Sequence, residues 1–208
     1  RLSTGESVVY TARNTGDAHG LGGLPPSLFV ARAEFGAYIP LMEPKSIALT
    51  KQYLGKQEMF GSNEGPVIGV MKAFLGINAK GVSWCGIFVG WILCRAYSLK
   101  DKSALRVALG FDSPFFVDST KDWLAQAKAH KKITTTPAAG DLFILLDGHG
   151  QAHHIGFVVS EPDEDGRFRT VEGNTNEGGS PNGDGVYNRV RNARSGIVFI
   201  SLPHVVKA

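Results

Sequence analysis

The apolar pattern of the chain changes once, near Pro137-Ala138-Ala139-Gly140, and this change limits the folds open to the sequence. Before it, helical spacing predicts helices over Ser46 to Leu54, over Val67 to Leu75, from about Ser83 to Tyr97, and around Trp123 and Leu124 after the N-cap candidates Asp118-Ser119-Thr120. After it, short apolar runs between turn residues predict strands over Asp141 to Leu146, Ile155 to Ser160, Arg167 to Val171, Val186 to Arg191 and Ile197 to Leu202. Helices followed by strands indicate an α+β fold, with N-terminal helices packed on a C-terminal antiparallel sheet, and not alternating βαβ units.

The composition fits one globular domain, or one domain with an appendage. Of the 208 residues, 43% are hydrophobic and 20% charged, which is enough apolar material for a core. Residues 1–45 are rich in Gly and Pro and predict a loop-rich extension, and residues 46–208 carry the domain. The net charge of +3 is spread too thinly for a nucleic-acid groove, and no apolar run approaches the roughly 20 residues of a membrane span.

Cys85 stands where a cysteine can become a nucleophile. It opens a predicted apolar helix, whose unpaired N–H groups and partial positive charge favour the thiolate and can hold an oxyanion. Gly86 would let a substrate carbonyl approach closely. Cys94 lies nine residues on and points to roughly the opposite face of the same helix, so we predict a core position for it and no disulfide.

His154 and two polar residues of the following strand are candidates for the groups that serve this thiol. His154 opens a predicted strand, and Glu172 and Asn174 share one face of the next strand if that strand is extended. Either could accept a hydrogen bond from the imidazole, although a solvated strand end would show the same residues. A nucleophile, a base and a group that anchors the base are what thiol-dependent amide hydrolysis requires.

A metal site is the alternative use of the histidines. His149, His153, His154 and Asp147 lie within eight residues, and zinc sites use His and Asp. However, residues 148–150 resemble a hairpin tip, and neighbouring residues of a strand point to opposite faces. We therefore predict no metal.

Together these segments resemble the CHAP family, the cysteine- and histidine-dependent amidohydrolases and peptidases of bacterial walls and phage lysins. Four elements between Lys51 and Leu202 carry the resemblance: Asn63-Glu64-Gly65-Pro66, Trp84-Cys85, Ala139-Gly140-Asp141-Leu142, and His154-Ile155-Gly156-Phe157-Val158-Val159 followed by Val171-Glu172-Gly173-Asn174-Thr175. The resemblance implies a papain-like α+β fold related to the NlpC/P60 superfamily. It also implies that Cys85 is the nucleophile and His154 the base, with Glu172 and Asn174 orienting the base.

The chain departs from the family pattern at two places. Nothing between Lys51 and Ser83 matches the acidic loop of the calcium-binding members, so we expect neither calcium nor any other cofactor. His153 stands where the family commonly has Gly, which makes it a rival for the base, although Gly156 keeps the register on His154.

The function implied by the resemblance is hydrolysis of an amide bond in peptidoglycan at the bacterial cell wall. The N-acetylmuramoyl-L-alanine bond is the favoured target, and a peptide bond of the stem or cross-bridge is the alternative. Trp84 either lines the substrate groove or packs in the core. A non-catalytic wall-binding module and an amidase for a small cytosolic amide are the other functions considered. An inhibitor or immunity protein is an expected partner only if the chain is a toxin.

Overall fold

The computed structural model describes residues 10–11, 43–194 and 196–205. The predicted extension over residues 1–45 lies almost wholly outside these residues. Within them the chain forms five α-helices and a six-stranded antiparallel sheet, so the α+β prediction is confirmed. No helix in this part of the chain has the length and apolar character needed to cross a membrane.

The helices begin and end close to the predicted positions. Their bounds are α1 Lys45–Thr50, α2 Pro66–Phe74, α3 Cys85–Ala96, α4 Lys102–Leu109 and α5 Thr120–Ala129, with 3-10 turns at Lys51–Tyr53 and Phe116–Asp118. Pro66 occupies the first turn of α2, where its missing N–H costs nothing. Ser119 caps α5 by accepting from the Asp122 N–H, as the sequence predicts.

Helix α4 is absent from the prediction although its ends carry clear signals. The Asp101 side chain accepts from the Ala104 N–H, and Gly110 ends the helix in the left-handed conformation with φ 68°. The helix is only eight residues long, and it buries Leu105 and Leu109 on one side. Little more than two turns give too few repeats of the apolar spacing for a clear helical pattern.

The strands form one large antiparallel sheet in the order β2-β7-β3-β4-β5-β6. Their bounds are β2 Ile133–Thr134, β3 Leu142–Leu146, β4 Ala152–Val158, β5 Arg167–Thr175, β6 Gly185–Asn192 and β7 Ile197–Ile200. The predictions located all of these except β2, which at two residues is too short to show alternation. A separate pair joins β1 Tyr10–Thr11 to β8 His204–Val205.

Helix α3 is the centre of the main core. All its residues except Arg95 are buried, and it packs against α1, β4 and β5. A second, smaller cluster consists of Phe143, Val158, Phe168 and Phe199. The packing of α3 against β4 and β5 brings the helix's first residue next to the two strands that carry the predicted polar groups.

Candidate active site

Cys85 is the first residue of α3. Trp84 is its N-cap residue, and its side chain makes no capping hydrogen bond to the helix, so the first turn presents its N–H groups and partial positive charge beside the sulfur. The side chain of Cys85 is nearly enclosed, because the residue is 2% exposed.

Trp84 supports this position from within the core. Its ring is 1% exposed, and its Nε1 donates to Glu58 Oε2 at 3.1 Å. A side chain at Gly173 would come within 2.9 Å of the ring, so β5 passes directly against it. Of the two interpretations of Trp84, the structure favours packing over a substrate groove.

His154 and Glu172 form a buried pair. His154 Nε2 lies 2.9 Å from Glu172 Oε2, and both side chains are fully enclosed. Glu172 also accepts from Thr170 Oγ1 at 2.6 Å and from Arg191 Nε and Nη2 at 2.8 and 2.5 Å. A buried carboxylate with this many donors is held in one position and in its charged form.

The pKa values of the three groups shift in the directions that a thiolate–imidazolium pair requires. Burial acts to raise the pKa of the Cys85 thiol, but the His154 imidazole, the Ser83 hydroxyl and the Ile155 backbone outweigh it, so that pKa is lowered. Burial acts to lower the pKa of His154, but Cys85 and Glu172 outweigh it and raise the value to about 9. Against its own burial, Arg191 and His154 lower the pKa of Glu172 to about 2.

The remaining ring nitrogen is available for proton transfer. Within the described part of the chain, His154 Nδ1 is buried and makes no hydrogen bond of ordinary geometry. Because Nε2 is taken by Glu172, Nδ1 is the nitrogen that can serve the Cys85 sulfur. His153, the predicted rival, is only partly buried, and the carboxylate partner belongs to His154.

Asn174 makes a different contact from that of Glu172. Its Nδ2 donates to Ser83 Oγ at 2.7 Å, on the side of Cys85. The prediction placed both residues on one face of an extended strand, but Asn174 has φ 60° and the register of β5 with β6 shifts between Glu172 and Thr175. This bulge breaks the two-residue alternation and turns Asn174 toward α3.

Close packing accounts for the glycine at position 86. A side chain there would approach the Val117 carbonyl oxygen to 2.5 Å and the Trp123 indole nitrogen to 3.4 Å. Helix α3 therefore packs tightly on the 3-10 turn at Phe116–Asp118. The contact of Gly86 with substrate stays a prediction.

Cys94 is buried in the core, and both cysteines are free. Burial, with Asp101 nearby, raises the pKa of the Cys94 thiol to about 12. The pKa of the Cys85 thiol shifts in the opposite direction. Among the described residues no three His, Cys, Asp or Glu side chains lie close enough together to hold a metal ion.

Three residues that contact the site have little or no signal in the sequence: Ser83, Thr170 and Arg191. Arg191 reaches Glu172 from the neighbouring strand, and the register that brings them together is not visible in a sequence. Serine is common just before a helix as an N-cap residue, so Ser83 gives no separate sequence signal for its contact with the Cys85 sulfur. The only sequence signal for Thr170 is its spacing of two from Glu172, which places both on one face of β5.

Residues 77–174 match the family model described as the CHAP domain. This segment is a CHAP domain. The match spans Cys85, His154, Glu172 and Asn174, and covers just under half of the chain. A search of curated proteins gave no match. A CHAP domain implies amidase or peptidase activity on peptidoglycan, and hence action at the cell wall.

Proposed function

We propose that the CHAP domain is a thiol-dependent peptidoglycan hydrolase, with Cys85 as nucleophile and His154 as general base and acid. The observation that carries the proposal is the His154–Glu172 contact of 2.9 Å, which leaves Nδ1 for a thiol of lowered pKa. Arg191 and Thr170 keep Glu172 charged and fixed, and Glu172 in turn stabilises the imidazolium. We assign the catalytic domain to residues 46–208.

The reaction follows from these groups. The Cys85 thiolate adds to the amide carbonyl carbon, and N–H groups of the first turn of α3 stabilise the oxyanion. The His154 imidazolium gives its Nδ1 proton to the leaving amine as the C–N bond breaks, which leaves a thioester. His154 then takes a proton from water, which attacks the thioester, releases the carboxylic acid and restores the thiolate.

We propose the amide between N-acetylmuramic acid and L-alanine as the bond that is cut, with a peptide bond of the stem or cross-bridge as the alternative. Mass spectrometry of digested sacculi separates the two. A freed lactyl carboxylate identifies the amidase, and a new peptide N-terminus identifies the endopeptidase. Sacculi that remain uncut under all conditions would favour a wall-binding module.

The chain offers a matched pair of cysteine variants to test the mechanism. Cys85→Ala and His154→Ala should each reduce wall lysis by roughly 10³-fold or more, and the double variant should be little worse, because the two residues act as a unit. Cys94→Ala removes the other thiol and should keep lysis. Lysis by folded Cys85→Ala would refute the proposal.

A further inference from the structure

Ser83 contacts both the Cys85 sulfur and the Asn174 side chain, two groups that the proposed mechanism does not connect. It lies two residues before Cys85, in the turn that leads into α3. Its Oγ is 3.6 Å from Cys85 Sγ and 2.7 Å from Asn174 Nδ2. The nucleophile therefore has a polar neighbour besides His154, and that neighbour is itself held by the bulge of β5.

The chemistry of the three groups fixes the direction of these hydrogen bonds. An amide nitrogen can only donate, so Ser83 Oγ accepts from Asn174. A thiolate can only accept, so when Cys85 is ionised the Ser83 hydroxyl is the donor in the Ser83–Cys85 contact. A hydrogen bond to the charged form of a group stabilises that form.

The Asn174 side chain is buried, and only part of it is satisfied. Its backbone is left-handed with φ 60°, a conformation that asparagine adopts more readily than most residues other than glycine. Its Oδ1 is buried and has no hydrogen-bond partner in the described part of the chain. A buried polar atom without a partner is uncommon in native proteins and calls for an explanation, of which a role at a functional site is one.

We propose that Ser83 is a catalytic residue that donates a hydrogen bond to the Cys85 thiolate, and that Asn174 is a positioning residue that holds the Ser83 hydroxyl in place. The proposal rests on the proposed function, since it concerns the same thiolate. It gives Asn174 a role separate from that of Glu172: Glu172 acts on the base and Asn174 acts on the nucleophile.

The test is a titration of the Cys85 thiol, followed by thiolate ultraviolet absorbance at pH values below the ionisation of tyrosine. Cys94 does not interfere, because its pKa is raised to about 12. The charged or titratable groups on the elements around the sulfur stay unchanged in every variant: His154, Glu172, Arg191 and Glu58. The measurement needs no substrate and no access to the sulfur.

Ser83→Ala should move the midpoint of this titration upward by about one pH unit, a tenfold change in the thiolate-to-thiol ratio. Ser83 is exposed, so the substitution opens no cavity, but it removes the acceptor of the buried Asn174 Nδ2, and circular dichroism of the variant checks that it is folded. Ser83→Thr keeps the hydroxyl and should restore a midpoint near that of the wild type. Asn174→Ala should shift the midpoint in the same direction, and adding it to Ser83→Ala should produce no further shift.

Ser103→Ala, which removes an exposed serine hydroxyl of α4, is the matched control and should titrate like the wild type. A folded Ser83→Ala protein with the wild-type midpoint would overturn the inference and leave the proposed function standing. Lysis by Cys85→Ala, by contrast, would remove the proposed function whatever the titration gives.

Discussion

At the scale of single residues, Glu172 helps to set the charge of His154, the proposed base. Its carboxylate is buried and receives hydrogen bonds from His154, Thr170 and Arg191. Arg191 on β6 and His154 on β4 both contact this carboxylate, and against its burial Cys85 and Glu172 raise the pKa of His154. Arg191 therefore acts on His154 through Glu172, because it helps to keep the carboxylate charged.

Glu172→Gln tests this dependence with little change of volume. The amide cannot stabilise the imidazolium, and its NH₂ group meets the donors of Arg191 or His154, so kcat/KM should fall by roughly 10² to 10⁴-fold. The pH profile is the specific readout. In the wild type, activity should fall as pH rises through about 9, where His154 loses its proton.

In Glu172→Gln that alkaline limb should move to lower pH, because the carboxylate no longer raises the pKa of His154. An unchanged limb in an active variant would show that Glu172 has only a packing role. Glu164→Gln, at an exposed position in the hairpin before β5, is the matched control and should keep the wild-type profile.

At the scale of helices and strands, the site depends on how closely β5 approaches α3. Gly173 stands between Glu172 and Asn174, and a side chain there would lie 2.8 Å from Phe88 carbon atoms and 2.9 Å from the Trp84 ring. These distances are shorter than carbon–carbon contacts allow. The absence of a side chain at Gly173 thus lets the strand that carries Glu172 and Asn174 approach the helix that carries Cys85.

Gly173→Ala should therefore move β5 away from α3 and lengthen the Asn174–Ser83 contact. We expect a loss of stability of about 1–3 kcal/mol from overpacking, and a loss of activity larger than the unfolded fraction explains. Gly148→Ala is the control, because nothing lies within 4 Å of its added carbon. Denaturant unfolding and wall lysis measured on the same preparations check both parts. Equal behaviour of the two variants would contradict this account.

The sequence was most informative about elements and least informative about contacts between them. The change from helical to alternating pattern predicts the α+β fold, and the helix pattern places Cys85 at the start of α3. β4 begins two residues before His154, and Glu172 lies inside β5, so neither of them marks the start of its strand. Asn174 was placed with Glu172 because alternation assumes a regular strand, and the bulge at φ 60° breaks that assumption. Arg191 could not be found, because the β5–β6 register depends on a turn whose length the sequence does not fix.

At the scale of the whole molecule, the site joins parts that are far apart in the chain. The proposed nucleophile comes from the helical half, the proposed base and its carboxylate come from the sheet half, and Arg191 comes from the edge strand β6 beside β5. The charged groups of the site meet only in the folded protein. Their pKa shifts are therefore contributions to folding stability that depend on pH.

Glu172 gives the sign of this dependence on the acid side. Its folded-state pKa of about 2 lies below the ordinary value of 4.5, so its contribution is fully present above pH 4.5 and is lost as pH falls through about 2. The contribution to the free energy of unfolding is on the order of 3 kcal/mol.

In Glu172→Gln this contribution is missing at every pH, so the variant should be less stable than the wild type at neutral pH. The difference in stability between the two proteins should shrink as the solution is acidified. Urea unfolding of both proteins, at a series of pH values down to the acid transition, measures this difference. A difference that stays constant with pH would mean that the carboxylate is not held charged by Arg191 and His154.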